Sequence, residues 1–323
     1  MTEINLNFAY AYGEPLGSAG FRTEFEDFQV YEQLPSAPEG EGEHVYLYVR
    51  KTNNNTAWIA KQLARAAGIQ NMDVGYAGLK DRRAVTEQWF SLYMPKGAEP
   101  NWKALDIEGA EVLEISRGRS KLRRGDHLDN RFVIRLRDFS VDAADLEERL
   151  KQISLAVPNY FGEQRFGIDG ANLERAVQWF EEGVTIRNRQ QKKFIVSAAR
   201  SYLFNLVLSE RVASGSWLDS LEGECLLDGK ASGPMWGRGR LESSAAALEL
   251  EEALLAPMQN WQERLEHLGL RQDRRLLAMR PVDFNWQFED RDLRLEFKLP
   301  PGAYATSILR ELCQLQQPEL VEQ

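Results

Sequence analysis

The chain has 323 residues, of which 43% are hydrophobic, enough for a packed core and for more than one typical domain. Its net charge of −9 argues against a protein that binds polyanions over its whole surface, although local potential governs binding. The two cysteines, Cys225 and Cys313, lie far apart, so we expect neither a disulfide framework nor a cysteine-based zinc site.

The first residues lack the basic and apolar regions of a secretion signal, and no apolar run approaches the roughly 18 residues of a membrane span. We therefore expect a cytoplasmic protein that contacts no membrane. Three histidines, His44, His127 and His267, are too far apart to predict a metal site. We interpret His44 and His127 as polar loop residues.

β-Strands dominate the first part of the chain. Apolar and polar residues alternate at residues 21–25 and again at residues 28–30, as in half-buried strands. The more continuous apolar run at residues 45–49 predicts a buried strand. Asn55 is predicted to cap a short helix that ends at Gly68.

A strand–turn–strand is predicted at residues 75–90, with Asp81 in the turn. Basic residues surround this carboxylate, namely Lys80, Arg82 and Arg83. An acid ringed by cations on a loop between two strands is compatible with a catalytic carboxylate beside a polyanion, although composition alone favours a more ordinary structure. The alternative is an ordinary hairpin turn with a solvated cluster of charges.

Two further strands are predicted at residues 110–115 and 132–136. Helical character begins near residue 140, where Asp142 is expected to start a helix that Pro158 ends. This change from strands to helices indicates a change of domain.

Helices continue at residues 173–180 and 195–212, where apolar residues follow helical spacing. Residues 213–245 are rich in glycine and serine and predict irregular structure. A last strand is expected at residues 293–297, followed by a helix near Ser307. Strands at both ends and helices between them suggest a discontinuous domain with an insertion.

Five motifs resemble those of the TruD family of tRNA pseudouridine synthases. They follow the family's order at residues 40–44, 76–88, 158–167, 197–205 and 299–312. The resemblance implies conversion of uridine to pseudouridine in tRNA, at position 13, without a metal or another cofactor.

The resemblance also implies an α+β fold. It comprises a pseudouridine synthase catalytic domain with a mixed, largely antiparallel sheet and flanking helices, interrupted by an α/β insertion domain. The implied bounds are residues 1–156 for the first part of the catalytic domain, 157–277 for the insertion and 278–323 for the last part.

The resemblance assigns the reacting carboxylate to Asp81, as a nucleophile or as a base that takes a proton from the sugar. Arg22, on the first strand, is the candidate cation that keeps Asp81 ionised, although the family more often has lysine there. The alternative for Arg22 is a surface strand residue, and the alternative for Phe28 and Phe132 is ordinary strand core. The substrate-binding candidates are Phe28, Asn130, Phe132, Tyr304, Arg22 and Lys80, with Phe132 stacking on the flipped uracil.

Clusters of basic residues are candidates for contacts with the RNA backbone. Each cluster taken singly is also typical of a solvated face. The candidates are Arg117, Arg119, Lys121, Arg123 and Arg124 in the first cluster, and Arg187, Arg189, Lys192 and Lys193 in the second.

Two other functions compete with this interpretation. One is a non-catalytic tRNA-binding or folding protein on the same scaffold, which has no need of Asp81. The other is a uridine-modifying methyltransferase, for which the sequence offers no cofactor motif. tRNA is the expected partner, and no obligatory protein partner is evident.

Overall fold

The computed structural model describes residues 3–96 and 98–318 of the chain. Its strands are β1 Ser18–Phe21, β2 Phe28–Gln33, β3 His44–Thr52, β4 Val74–Tyr76, β5 Val85–Tyr93, β6 Ala110–Gly118, β7 Asp129–Arg137, β8 Val157–Pro158, β9 Leu226–Leu227, β10 Lys230–Met235, β11 Asp273–Leu276, β12 Ala278–Met279, β13 Val282–Glu289, β14 Asp292–Leu299 and β15 Gln314–Gln316. Its α-helices are α1 Thr56–Ala67, α2 Ala143–Leu155, α3 Ala171–Phe180, α4 Arg189–Ala213, α5 Ala245–Leu255, α6 Gln259–His267 and α7 Ala305–Leu309.

The chain forms two compact units, and each is made from separate stretches of sequence. The sheet unit comprises Gly17–Ala144, Pro281–Gly302 and the described residues from Gln314 onward. The helical unit comprises the described residues up to Leu16, Asp145–Arg280 and Ala303–Cys313. The helical unit therefore includes two terminal stretches that the sequence assigned to the catalytic domain. The predicted domain bounds at 157 and 277 stay a prediction.

The sheet unit is built on one ten-stranded mixed sheet. Its central order is β13-β14-β7-β2-β5-β3-β6, with β4 paired to β5, and β1 paired to β7 and β15. Pairing is antiparallel except between β2 and β5 and between β1 and β15. The sheet therefore brings distant segments, such as β2 and β7, side by side.

The predicted strand–turn–strand around Asp81 is present. β4 and β5 pair in antiparallel register, and Asp81 lies in the loop between them. α1 packs its apolar side into the core of the sheet unit and ends at Gly68, whose φ of 67° is left-handed. Glycine adopts this conformation with the least strain, which explains why the helix ends there.

The helical unit packs around α4. Buried residues on this helix, including Ile195, Leu203 and Phe204, share one core with Trp261 of α6. Asn188 begins the helix, because its side chain accepts hydrogen bonds from the amides of the first turn. The helices predicted at residues 173–180 and 195–212 lie within α3 and α4.

Three local predictions were wrong. Phe25 lies in a short 3-10 helix rather than a strand. Asn55 occupies the N-cap position of α1, but its side chain makes no capping hydrogen bond. His44 is not a loop residue, because it begins β3 and is buried. The 3-10 helix has a capping box formed by Glu24 and Asp27, whereas His44 belongs to the sheet because β3 pairs with β5 there.

The segment predicted to be irregular, residues 213–245, contains β9 and β10. β10 lacks β-branched and large aromatic residues, so it carries no local strand signal. It is held by β11 and packs closely on α4, where a side chain at Gly233 would press against the Phe204 ring. Tertiary contacts therefore form this strand.

In residues 3–96 and 98–318, no helix combines the length and apolar character needed to cross a bilayer. The same residues present no cluster of three histidine, cysteine, aspartate or glutamate side chains suited to holding a metal ion.

Candidate active site

Asp81 lies at the centre of the candidate site in the sheet unit. Its Oδ2 accepts a hydrogen bond from Nη2 of Arg22 at 2.9 Å. The Asp81 side chain is 36% exposed, whereas that of Arg22 is only 8% exposed. The carboxylate is thus held by a buried cation but remains accessible from solvent.

Arg22 does not lie on the first strand, as the sequence predicted, but directly after β1. Its φ of 56° places it in the left-handed region, which reverses the chain before the short 3-10 helix. The guanidinium carbon lies 4.1 Å from the ring centre of Phe28 and 5.0 Å from that of Phe21. These aromatic contacts fix the guanidinium toward Asp81.

Lys51 is a second cation that contacts the loop containing Asp81, and it was not predicted from the sequence. It lies on β3, is fully buried, and donates a hydrogen bond from Nζ to the backbone carbonyl of Asp81 at 2.8 Å. Burial lowers the pKa of Lys51 to about 8, although the charge of Asp81 opposes this shift. A signal was present, since strand alternation places Lys51 on the same face as buried Val45 and Val49.

A buried ion pair supports the other side of the loop. Nζ of Lys80 lies 2.7 Å from Oε2 of Glu32 and also donates to Oδ1 of Asn130 at 2.5 Å. Burial raises the pKa of Glu32, and the charge of Lys80 opposes that effect. Glu32 also accepts a hydrogen bond from the backbone amide of Trp89. Sequence reasoning missed Glu32, which no motif marked.

The Asn130 side chain is oriented by two neighbours. Its Oδ1 faces Lys80, and its Nδ2 lies 3.1 Å from Nε2 of His127. Burial, with a smaller contribution from the charge of Lys80, lowers the pKa of His127 to about 4. The Lys80 ammonium can only donate, so it faces the amide oxygen, and the Asn130 amide nitrogen then donates to Nε2 of a neutral His127 that carries its proton on Nδ1.

Phe28 and Phe132 lie together beneath the site. Their ring centres are 6.0 Å apart in an edge-to-face arrangement. Phe132 also stacks on Phe297 of β14, with 5.5 Å between ring centres. Phe28 is fully buried, whereas Phe132 keeps 8% of its surface exposed. The two rings therefore form part of the sheet core, with only an edge of Phe132 reaching the surface.

Tyr304 belongs to the helical unit, where Arg165 holds it. Nε of Arg165 donates to the Tyr304 hydroxyl at 2.9 Å, and Nη1 donates to Ser197 Oγ at 2.9 Å. The ring of Tyr304 lies edge-on to Phe161, with 5.8 Å between ring centres. Three motifs that are distant in sequence, at residues 158–167, 197–205 and 299–312, thus meet at Tyr304.

Comparison with known proteins identifies the family. The family model for tRNA pseudouridine synthase D (TruD) matches residues 5–174 and 228–312. The chain is 47% identical to tRNA pseudouridine synthase D of Cellvibrio japonicus, covering 98% of this chain and 96% of that protein. It is 44% identical to the protein of the same name from Nitrosococcus oceani, covering 96% and 94%.

The chain belongs to the TruD family. It is therefore an enzyme, an isomerase of the pseudouridine synthase class. A crystal structure of a TruD protein from Methanosarcina mazei matches with a TM-score of 0.69 at 20% identity, covering 94% of this chain and 95% of that chain. This likeness confirms the predicted α+β fold class.

Three of the basic residues that were predicted to contact the RNA backbone are paired in the structure with acceptors of the protein itself. Arg117 donates to two backbone carbonyl groups at 3.0 and 3.1 Å and pairs with Glu99. Arg119 pairs with Glu41. Lys121 donates to a backbone carbonyl in the loop before β4. These side chains would have to exchange partners before they could contact RNA.

The other candidates in the first cluster remain exposed. Arg123 and Arg124 lie in the turn between β6 and β7, and the Arg124 guanidinium lies 5.2 Å from the ring centre of Tyr76. Tyr76 is the last residue of β4 and comes just before the Asp81 loop. Arg124 therefore lies near the start of that loop.

The second cluster lies in the helical unit, at the start of α4. Arg187, Arg189 and Lys193 are exposed, whereas Lys192 is half-buried with its ammonium 5.5 Å from the ring centre of Trp179. A third group of basic residues in the sequence comprises Arg271, Arg274, Arg275 and Arg280. Of these, Arg275 is enclosed, and burial lowers its pKa to about 10.

Proposed function

We propose that this chain isomerises uridine to pseudouridine in tRNA and that Asp81 is the reacting carboxylate. The reaction breaks the C1′–N1 bond, turns the base and joins C1′ to C5, with no net oxidation or reduction. The observation that carries the proposal is that Asp81 is accessible while Arg22 and Lys51, which hold it, are buried. A fixed yet reachable carboxylate suits a nucleophile or a general base.

Arg22 orients Asp81 in this proposal. Its guanidinium lies within hydrogen-bond distance of the carboxylate, so the carboxylate is held in one direction. The rings of Phe21 and Phe28 confine the guanidinium, so little reorientation accompanies substrate entry. Arginine at this position, where the family more often has lysine, is compatible with that role.

Asn130 orients the target nucleotide through its remaining hydrogen-bonding capacity. One lone pair of Oδ1 is used by Lys80, and one amide hydrogen faces His127. An amide has a second lone pair and a second hydrogen, which are available to a base or a ribose. Lys80 therefore acts on the substrate through Asn130 rather than by direct contact, because its own side chain is 5% exposed.

Base flipping exposes the target uridine to this site. Removing a base from its stack costs a few kcal/mol, and contacts in the pocket recover that energy. We propose that Phe132 contacts the flipped uracil through its exposed edge and that Phe28 supports Phe132 from below. Tyr304 is the substrate-contacting aromatic residue of the helical unit.

Two further elements of the proposal concern the RNA. Exposed Arg123 and Arg124, with the cations at the start of α4, bind phosphates and position the tRNA without reading its sequence. Uridine 13 is the target, as the motifs that resemble the TruD family imply. The names of the Cellvibrio japonicus and Nitrosococcus oceani relatives support tRNA as the substrate.

The experiment replaces Asp81 with asparagine, which keeps its size and its acceptor for Arg22 but removes the charge. Purified protein, dialysed against a chelator and given no cofactor, is incubated with an unmodified tRNA transcript, and pseudouridine is mapped chemically. We expect conversion by the wild type and a loss of about 10⁴-fold or more for Asp81→Asn, with tRNA affinity nearly unchanged. Asp106→Asn, at an exposed position, is the matched control.

Other outcomes identify which part of the proposal fails. Substantial turnover by Asp81→Asn removes Asp81 from the reaction. tRNA binding without any pseudouridine supports the non-catalytic alternative. A transcript with cytidine at position 13 tests the target, since pseudouridine elsewhere in that transcript would contradict the position.

A further inference from the structure

An exposed aromatic residue stands among cations on the first turns of α4. Phe194 is 51% exposed, which is unusual for a phenylalanine in a unit that buries most of its aromatic residues. Arg189, Gln190 and Lys193 are exposed on the same stretch. Spacings of three and four residues place all four side chains on one face of the helix.

Four cations lie on or beside this face at the start of α4. Arg187, Arg189, Lys192 and Lys193 form no salt bridge with any residue of the described part of the chain, although the protein carries a net charge of −9. A local positive potential therefore persists on an acidic protein, and it favours an anionic partner.

The same helix face leads to Tyr304, the candidate substrate-contacting residue of the helical unit. One helical turn after Phe194, Ser197 accepts a hydrogen bond from Arg165, which in turn donates to Tyr304. The α4 strip, which we define as Arg189, Gln190, Lys193, Phe194 and Ser197, thus leads within one unit toward Tyr304.

We propose that the α4 strip binds an unpaired nucleotide of the tRNA, with Phe194 stacking on its base and Arg189 and Lys193 contacting its phosphates. The inference rests on the proposed function and adds a second base-binding position to it. Aromatic side chains beside cations are the combination by which proteins hold single-stranded nucleic acid, since every base offers a face for stacking.

The composition of the strip favours RNA over a protein partner. A protein interface has an apolar core from which charged residues are depleted. Here one exposed aromatic ring has two exposed cations and an amide as neighbours on the helix face, a composition unlike the apolar core of a protein interface. Phosphates match the cations, and a base matches the ring.

The test compares Phe194→Ala, Phe194→Leu and Phe194→Trp in the full chain. Leu218→Ala, another exposed apolar residue of the helical unit, is the matched control. Binding of an unmodified tRNA transcript is measured across a salt series, together with single-turnover rates. We expect Phe194→Ala to weaken binding by roughly tenfold, Phe194→Leu to be similarly weak, and Phe194→Trp to restore binding.

Salt dependence separates stacking from charge. Phe194→Ala should leave the slope of affinity against salt unchanged, because no phosphate contact is lost. Arg189→Ala and Lys193→Ala should each reduce the slope by about one. Helical circular dichroism of every variant confirms that α4 is intact.

The nucleotide is located by placing an abasic site at each unpaired position of the transcript in turn. At one position, loss of the base should weaken binding to the wild type but not to Phe194→Ala. Equal effects on both proteins at every position would overturn the inference, as would a concentration-dependent dimer that Phe194→Ala abolishes. Wild-type pseudouridine formation tests the proposed function separately, so the two failures are distinguishable.

Discussion

Replacing Lys51 with methionine should change how the stability of the protein depends on pH. Lys51 is fully buried, and burial moves its pKa from 10.5 to about 8. Methionine keeps much of the side-chain length but cannot carry a charge. The difference between the two proteins therefore isolates the free energy of holding an ammonium group in the sheet unit.

The sign follows from which state binds the proton. Below pH 8 both the folded and the unfolded chain carry the charge, and the folded state bears the full penalty of burying it. Between pH 8 and 10.5 the folded protein has released the proton while the unfolded chain retains it, so wild-type stability rises with pH. At about 1.36 kcal/mol for each pH unit, the gain relative to Lys51→Met reaches about 3 kcal/mol.

Denaturant unfolding of both proteins at intervals from pH 7 to 10.5 measures this gain. Lys61→Met, at an exposed position on α1, is the matched control and should follow the wild-type profile. Lys51→Met should also slow turnover, because the Asp81 carbonyl loses its donor and a misplacement of about 1 Å costs on the order of 100-fold. Parallel stability profiles for wild type and Lys51→Met would refute a buried ammonium beside the Asp81 loop.

Two further substitutions test the supports of the site. Glu32→Gln removes the charge that faces buried Lys80, so the protein should lose about 3–5 kcal/mol of stability, and an unchanged unfolding midpoint in urea would contradict the buried pair. Gly162→Ala would place a Cβ against Thr306 Oγ1 and 3.4 Å from the Tyr304 ring, so turnover should fall at nearly unchanged tRNA affinity. Adding Thr306→Ala should restore single-turnover rates, and a failure to do so would show that displacement of Tyr304 is not the cause.

The hairpin around Asp81 was predictable because its information is local. Strand-favouring residues flank a turn, and strand pairing needs only neighbouring segments of the chain. Lys51 and Glu32 were missed because their role depends on pairing between distant strands. Strand alternation marked Lys51 as inward-facing, but only the sheet order reveals that it faces the Asp81 carbonyl.

In the helical unit, two elements were not predicted, for two different reasons. α5 has a sequence of strong helix formers, alanine, leucine and glutamate, yet the sequence analysis predicted no element there. The composition of this segment was therefore sufficient to predict the helix. β10 could not have been predicted, because its glycine, serine and proline disfavour strands and it is held in place by β9, β11 and α4.

The cations around Asp81 each contact a different group. The cluster of like charges in the sequence does not predict this division. Arg22 holds the carboxylate, Lys51 holds the backbone of the same residue, and Lys80 holds Asn130 against Glu32. Three buried cations thus face two carboxylates at neutral pH. The surplus of one positive charge attracts an anionic substrate. Loss of the Lys51 proton above pH 8 removes that surplus, so the same group links the stability profile to the chemistry of the site.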